Sequence, residues 1–375
     1  MSAQAGKLRL AVVFGGRSGE HEVSLMSARS VLANLDPAKY EITQVGITHA
    51  GAWLVGSDVL EALESGDTHR LTPAVFLPDI SRPGIYTLDP TQDGLVLKPF
   101  ASLDVIFPVL HGTFGEDGTL QGMLEMAGTP YVGAGVLGSS LGMDKGVFAS
   151  VMAAEGIPIL ETRVVLRSEI ESDLEGVVAR AEQVAAYPLF IKPANLGSSV
   201  GVTKCRSRSD LVEGLLEAAR YDRRILVQRG IEAREIEISV LGNDLPQVSL
   251  PGEVIPSREF YSYEAKYIDG NSGLIIPAPL SAELTARVQE LALRAYHAAD
   301  CAGMARVDFL LDKSTGELYL GEINTIPGFT QISMYPKLWE VSGLPYPALL
   351  DRLIKLALER KADRQHTEWS YQRGK

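Results

Sequence analysis

The densest chemical signal in this 375-residue sequence is a pair of short strings, Arg306-Val307-Asp308 and Glu322-Ile323-Asn324. A strand alternates its side chains across two faces, so Arg306 shares a face with Asp308, and Glu322 shares one with Asn324. A three-residue hairpin loop over Ser314–Gly316 would set Asp308 directly opposite Glu322. Like charges that face each other destabilise a sheet. A hard divalent cation between them removes the conflict. Two carboxylates and an amide oxygen are ligands that Mg²⁺ accepts, with positions left for phosphate oxygens and water. A solvated polar face, or pairing with Arg306, would give the same strings without an ion.

Four further clusters invite the same reading. Gly15-Gly16-Arg17-Ser18-Gly19-Glu20-His21-Glu22 separates an apolar run from an amphipathic one. Backbone N–H groups at a helix start favour an anion, and a carboxylate in the loop favours an ammonium group, so together they suit a zwitterion such as an amino acid. A tight turn with capping carboxylates is the plainer alternative. His111 leaves the apolar run Leu103–Leu110 into a loop with Gly112, Gly115 and Gly118; it is either a ligand contact or a structural hydrogen-bonder. Lys192 ends the apolar string Leu189–Ile191, and Ala194–Gly201 follows with small residues that let backbone N–H groups approach phosphates. The stretch from Pro251 to Pro279 has little period and carries Tyr261, Tyr263 and Tyr267 among charges, which reads as a functional lid or a packed surface loop.

The elements that must position these groups follow from periodicity. Leu8–Phe14 and Tyr40–Ile47 read as buried strands around a helix at Ser24–Leu35, a βαβ unit that favours a parallel sheet. Leu103–Leu110 is another strand. Ligands of open α/β sheets sit beyond the carboxyl ends of strands, where both Gly-rich loops lie. Gly56–Pro99 is rich in Pro, Gly, Asp and Thr, and reads as a surface elaboration with short hairpins. Farther on, strands are expected at Leu189–Pro193, Val200–Cys205, Arg224–Gln228, Ile236–Leu241, Arg306–Asp312 and Glu317–Asn324. Helices are expected at Lys145–Glu155, Ser209–Arg220, Ala282–Ala298 and Leu349–Glu359. In the tail, Trp369 and Tyr371 could act as anchors.

Composition narrows the function classes. Hydrophobic residues make up 46% and charged residues 22%, which excludes a disordered chain. The formal net charge of −12 repels nucleic acid and anionic lipid. Two cysteines, Cys205 and Cys301, make no disulfide framework and suit a reducing compartment. No apolar run nears the ~20 residues of a membrane span, and Leu10–Phe14 is too short for a signal peptide. The expectation is a cytoplasmic enzyme with no nucleic-acid or membrane partner.

The strings GGRSGEHEVSL, HGTFGEDGTLQGMLEMAGTPYVG, MDK, IKPANLGSSVGV, YEAKY, RVDFLL and EINTIPGFT, in this order, resemble the ATP-grasp ligases and, within them, the D-alanine–D-alanine ligases. The resemblance runs from Gly15 to about Leu353. It implies an α/β chain with a Rossmann-like N-terminal substrate domain at 1–140 and two ATP-grasp domains, a small central one at 141–230 and a C-terminal one at 231–375. It implies ATP, Mg²⁺ or Mn²⁺, D-alanine as the small-molecule substrate, a homodimer, and an acyl-phosphate route to the dipeptide of peptidoglycan. Carried over residue by residue, Glu20 would hold the first ammonium group with His111 beside it. Lys145 and Lys192 would contact phosphates. Gln228, Arg229 and Ile231 would face adenine, with Glu235 on the ribose; many members have Glu-Lys where this chain has Gln228-Arg229. Asp308, Glu322 and Asn324 would ligate the metal. Arg306 and the backbone of Gly328 would stabilise the reacting carbonyl, and Ser333 and Met334 would meet the second carboxylate. Ser198, Lys266 and Tyr267 would link the Gly/Ser loop to the lid. A D-alanine–D-lactate ligase and another ATP-grasp carboxylate–amine ligase are the near alternatives. A nicotinamide oxidoreductase is disfavoured by the missing G-x-G-x-x-G.

Overall fold

Gly15 and Gly16 halt the first apolar run, and both take positive φ (89° and 103°), which turns the chain out of the sheet toward the helix. This is seen in a computed structural model that describes residues 6–197, 200–255 and 273–368. Ser198, Lys266 and Tyr267 from the expected site, and Trp369 and Tyr371 from the tail, lie outside the described residues.

The first sheet comprises β1 (Leu8–Gly15), β2 (Tyr40–Ile47), β3 (Trp53–Val55), β4 (Thr72–Phe76), β5 (Ile85–Thr91), β6 (Gly94–Ala101) and β7 (Val105–Val109). Its order is β6-β5-β4-β3-β2-β1-β7, with β1 parallel to both β2 and β7 and every other pair antiparallel. The helix His21–Asn34 lays Leu25, Ala28 and Val31 on this sheet; the core continues into Leu349, Leu350 and Leu353 of the helix Tyr346–Arg364. Segment 56–99 does contain hairpins, but it is not a separate surface feature: β4, β5 and β6 extend the main sheet. The edge strand β6 is exposed on both faces, with Leu95, Val96 and Leu97 in solvent.

The second sheet has order β10-β9-β11-β8, built from β8 (Thr162–Leu166), β9 (Leu189–Pro193), β10 (Thr203–Cys205) and β11 (Arg224–Arg229). All its pairs are antiparallel. The helix Arg208–Tyr221, N-capped by Ser207, packs Leu211, Leu215 and Ala218 against Ile191 and Val227.

The third sheet has order β15-β14-β12-β16-β17, with β13 beside β12, and is antiparallel throughout. Its strands are β12 (Ala233–Gly242), β13 (Gln247–Val248), β14 (Gly252–Ile255), β15 (Gly273–Ile275), β16 (Gly303–Asp312) and β17 (Leu318–Asn324). The helix Ala282–Ala298 covers it with Val288, Leu291 and Ala295. Leu311 pairs with Leu318, so the turn is one residue longer than the three-residue loop expected from sequence. A register shift between Asp308 and Phe309 absorbs the difference and leaves Asp308 opposite Glu322, and Arg306 opposite Asn324. Among the described residues no helix is long and apolar enough to cross a membrane.

Candidate functional site

The loop after β1, the loop after β7, the Gly197 turn of the second sheet and the ends of β16 and β17 converge on a polar cavity of about 100 Å³. Glu20, Arg306, Glu322, Asn324, Gly328, Ser333 and Met334, all singled out from sequence, line it. Glu116, Gly197, Glu237, Val254, Leu274 and Ile332 complete the wall.

Arg306 is the cation at its floor. Its Nε and terminal nitrogen donate to both oxygens of Asp308, at 2.7 and 2.6 Å, and Nε also lies 3.0 Å from Glu237. Burial by itself would push the guanidinium down; Asp308 and Glu237 hold it well above its usual range, so it stays charged. Sequence reasoning therefore placed Asp308 opposite Glu322 correctly, but one of its alternatives holds as well: Asp308 is paired with Arg306. A carboxylate oxygen has a second lone pair, so that pairing leaves Asp308 capacity toward an ion. Asn324 Oδ1 is buried and has no hydrogen-bond partner among the described residues. An orphaned amide oxygen beside two opposed carboxylates is a donor set that fits Mg²⁺.

Two lysines approach the same strands, Lys145 from the start of a helix and Lys192 from β9 of the second sheet. Lys145 follows Asp144, which caps the helix Lys145–Ala154 by accepting from the amides of Gly146 and Val147. Lys145 Nζ donates to Leu196 O at 2.8 Å and lies 3.9 Å from Glu322. Lys192 Nζ donates to Gln228 Oε1 at 2.9 Å, and Gln228 in turn donates to Thr162 Oγ1 at 3.0 Å. Burial pushes Lys192 down to about 8, opposed by Glu322 and helped by Lys145, while Glu235 also favours its charge. Lys145, Lys192, Gln228, Glu235 and Glu322 thus form one group. Ile231 lies half-buried just past the end of β11. Arg229 was expected within the strand end that faces adenine. It ion-pairs with Glu161 at 3.0 Å, and its guanidinium lies over the Tyr319 ring at 5.2 Å.

On the opposite side, the Glu20 carboxylate is wedged between two glycines. A Cβ on Gly112 would stand 2.7 Å from Glu20 Oε2, and one on Gly197 would stand 2.6 Å from it. The cavity therefore carries an acid whose position depends on two missing side chains. His111 was expected to touch substrate, yet the protein engages both its ring nitrogens. Nδ1 donates to Ile326 O at 3.0 Å, and Nε2 accepts from Ser27 Oγ at 3.0 Å, which in turn accepts from Phe329 N. Burial pushes the ring down against the pull of Glu20 and keeps it neutral. His111 therefore braces the loop after β7 against the helix His21–Asn34 and the loop after β17.

Ser333 caps its own turn: its Oγ accepts from Thr330 N at 3.0 Å, and a Cβ on Gly328 would meet that oxygen at 2.7 Å. Met334 is buried with Val254 and Leu338, so it shapes the wall apolarly.

Sequence reasoning missed Glu116, Glu237 and Ser27. Glu116 accepts from Gly112 N at 2.8 Å through one oxygen; the other is buried without a partner among the described residues. Burial, with Glu20 close by, pushes its carboxyl well above the ordinary range, which favours the protonated acid. Its signal lay in the quoted GEDG string, to which no role was attached. Glu237 lies on the expected strand Ile236–Leu241, but only the β12–β16 register reveals that it faces Asp308.

Two family models match the chain, the D-ala D-ala ligase N-terminus over residues 9–134 and the D-ala D-ala ligase C-terminus over residues 151–355. A D-alanine–D-alanine ligase of Heliobacterium modesticaldum is 50% identical over 359 residues, covering 96% of this chain and 97% of its own. The solved D-alanine–D-alanine ligase of Coxiella burnetii superposes with a TM-score of 0.82 at 37% identity, covering 96% and 97%. The VanG D-Ala:D-Ser ligase of Enterococcus faecalis gives 0.82 at 36% identity, covering 94% and 100%.

Proposed function

The chain belongs to the D-alanine–D-alanine ligase family, and on that premise we propose that it uses ATP to join two D-alanine molecules into D-alanyl-D-alanine for peptidoglycan. The observation that carries this reading is the single cavity in which Glu20, Arg306, Glu322, Asn324 and Gly328 meet.

A free carboxylate is a poor acyl donor because oxide leaves badly. Transfer of a phosphoryl group from ATP to the first D-alanine makes an acyl phosphate, and the amine of the second D-alanine displaces phosphate. Glu20, held between Gly112 and Gly197, binds the first ammonium group. Lys145 and Lys192 take the phosphate oxygens, and the lowered affinity of Lys192 for its proton means a bound anion secures its charge. Gln228 and Ile231 line the adenine side, and Glu235 takes the ribose. Asp308, Glu322 and Asn324 would hold Mg²⁺ or Mn²⁺, which neutralises phosphate charge when bound. Arg306 and the Gly328 amide stabilise the oxyanion of the tetrahedral intermediate, where losing one donor costs roughly 10²–10³-fold in rate. Ser333, with Met334 as the apolar wall, receives the second carboxylate. Ser198, Lys266 and Tyr267 are assigned to a lid that keeps water from the acyl phosphate. The three sheets support a division into a Rossmann-like domain (1–140), whose likeness rests on the parallel trio β2-β1-β7, and two ATP-grasp domains (141–230 and 231–375).

The test is phosphate release from ATP with D-alanine against L-alanine, followed by mass analysis of products with D-lactate and D-serine also present. D-alanyl-D-alanine as the main product is expected. A predominant ester, a predominant D-alanyl-D-serine, or equal turnover without D-alanine would overturn the reading.

A further inference from the structure

His21, Glu22 and His49 form a cluster on the first sheet that the ligase reading does not use. His21 opens the helix His21–Asn34, and its ring stacks on His49 from the turn after β2, with centroids 3.7 Å apart. His49 Nε2 lies 3.3 Å from Glu22 Oε1, and one ligand atom from each of the three residues falls within 4.8 Å of the others. His21 is buried, whereas Glu22 and His49 are about two-thirds exposed. His21 Nδ1 lies 2.8 Å from the Gly16 carbonyl, which can only accept. Nδ1 is therefore the donor in that bond, and Nε2 is the ring nitrogen left for another partner. An imidazole oriented by a backbone carbonyl through its other nitrogen is the arrangement that metal-binding histidines adopt. The nearby cation is turned away: the Arg17 guanidinium lies over the Phe114 ring at 5.6 Å.

We propose that His21, Glu22 and His49 bind a borderline divalent transition metal, Zn²⁺ being the best match, at a site separate from the ligase cavity. Two imidazoles and one carboxylate are a zinc-type donor set and a poor one for Mg²⁺, which takes oxygen ligands. Bonds of about 2.0–2.1 Å in a tetrahedron bring ligand atoms to about 3.3 Å from one another. The present spacing must shorten, and Glu22 and His49, both mostly exposed, are the side chains with room to turn. An ion there ties the β2 turn to the residue next to Glu20.

The experiment is a calorimetric titration of Zn²⁺ into the tag-free, chelator-stripped full chain without nucleotide, with Co²⁺ visible absorption as a second probe. One equivalent should bind to the unaltered chain. His49→Ala and Glu22→Ala, both at exposed positions, should weaken binding at least tenfold, and Glu322→Gln should leave it unchanged. Equal binding in the unaltered chain and both surface variants, loss of binding in Glu322→Gln, or no binding below about 1 mM Zn²⁺ would each overturn the proposal.

Discussion

Adding one methyl group at Gly197 should cost activity without costing the fold. An alanine Cβ there would stand 2.6 Å from Glu20 Oε2, 3.3 Å from Cδ and 3.4 Å from Oε1. Ordinary contact begins near 3.4 Å, so the nearer oxygen must retreat by about 0.8 Å, the difference between the two distances. Glu20 sits at the end of a flexible, half-exposed side chain and can retreat at little structural cost. A charged hydrogen bond to an ammonium group, worth about 1.5–3 kcal/mol, does not survive such a shift intact. At 1.4 kcal/mol per decade this is about 10- to 150-fold in kcat/KM for the first D-alanine. The assay is coupled phosphate release with D-alanine and ATP varied in turn, alongside the thermal midpoint. Gly122→Ala serves as the control. Its Cβ meets nothing within 4 Å, it lies in the helix Thr119–Met126, and it should gain roughly 0.5–1 kcal/mol of stability with kinetics unchanged. If Gly197→Ala leaves kcat/KM for D-alanine within twofold of the unaltered chain, or raises the ATP requirement equally, Glu20 does not hold the ammonium group.

Glu322→Gln should abolish phosphate release while the thermal midpoint stays within a few degrees, since it removes one charge of the opposed pair; retained turnover would take the ion away from β17. With Lys192 at about 8 in the folded chain against the ordinary 10.5, kcat/KM for ATP should fall as pH rises through 8, and Lys192→Arg should flatten that limb. The sign for folding is opposite. Between pH 8 and 10.5 the unfolded chain binds the proton that the folded chain has lost, so this group makes stability rise with pH, which urea midpoints across the window can read. Ser27→Ala should cost about 1–3 kcal/mol in urea unfolding, because it strips partners from the buried His111 Nε2 and Phe329 N–H; a cost near zero would show that His111 is not braced as described.

Strand and helix type were readable wherever one period dominated. Tyr40–Ile47, Leu189–Pro193 and Ala282–Ala298 have the bounds their apolar spacing indicates. The helix Val136–Met143 was invisible for the opposite reason. Glycine is a poor helix former, yet this helix holds two: a Cβ on Gly138 would meet Asp300 O at 2.9 Å and one on Gly142 would meet Ile323 at 3.2 Å. These glycines are there for close approach to a neighbouring segment, which a sequence does not display. The opposition of Asp308 and Glu322 was anticipated through a turn one residue too short, and the shift after Asp308 cancelled the error. His111 shows the other limit. Its place beside the cavity was legible, but its commitment to Ser27 and Ile326 arises from contacts 84 and 215 residues apart in sequence.

The outermost strand of the first sheet leaves one row of amide and carbonyl groups facing solvent, with Leu95, Val96 and Leu97 beside it. Such a row invites another chain to add on as an eighth ribbon. Lys98 contributes a charge, fastened to Asp89 at 2.5 Å; Pro99 lacks the donor that the ladder would need; and the slip between Ile85 and Tyr86 bends the hairpin out of line. The hairpin therefore carries its own brake on fibre-like growth, and the sheet can end there without a covering helix.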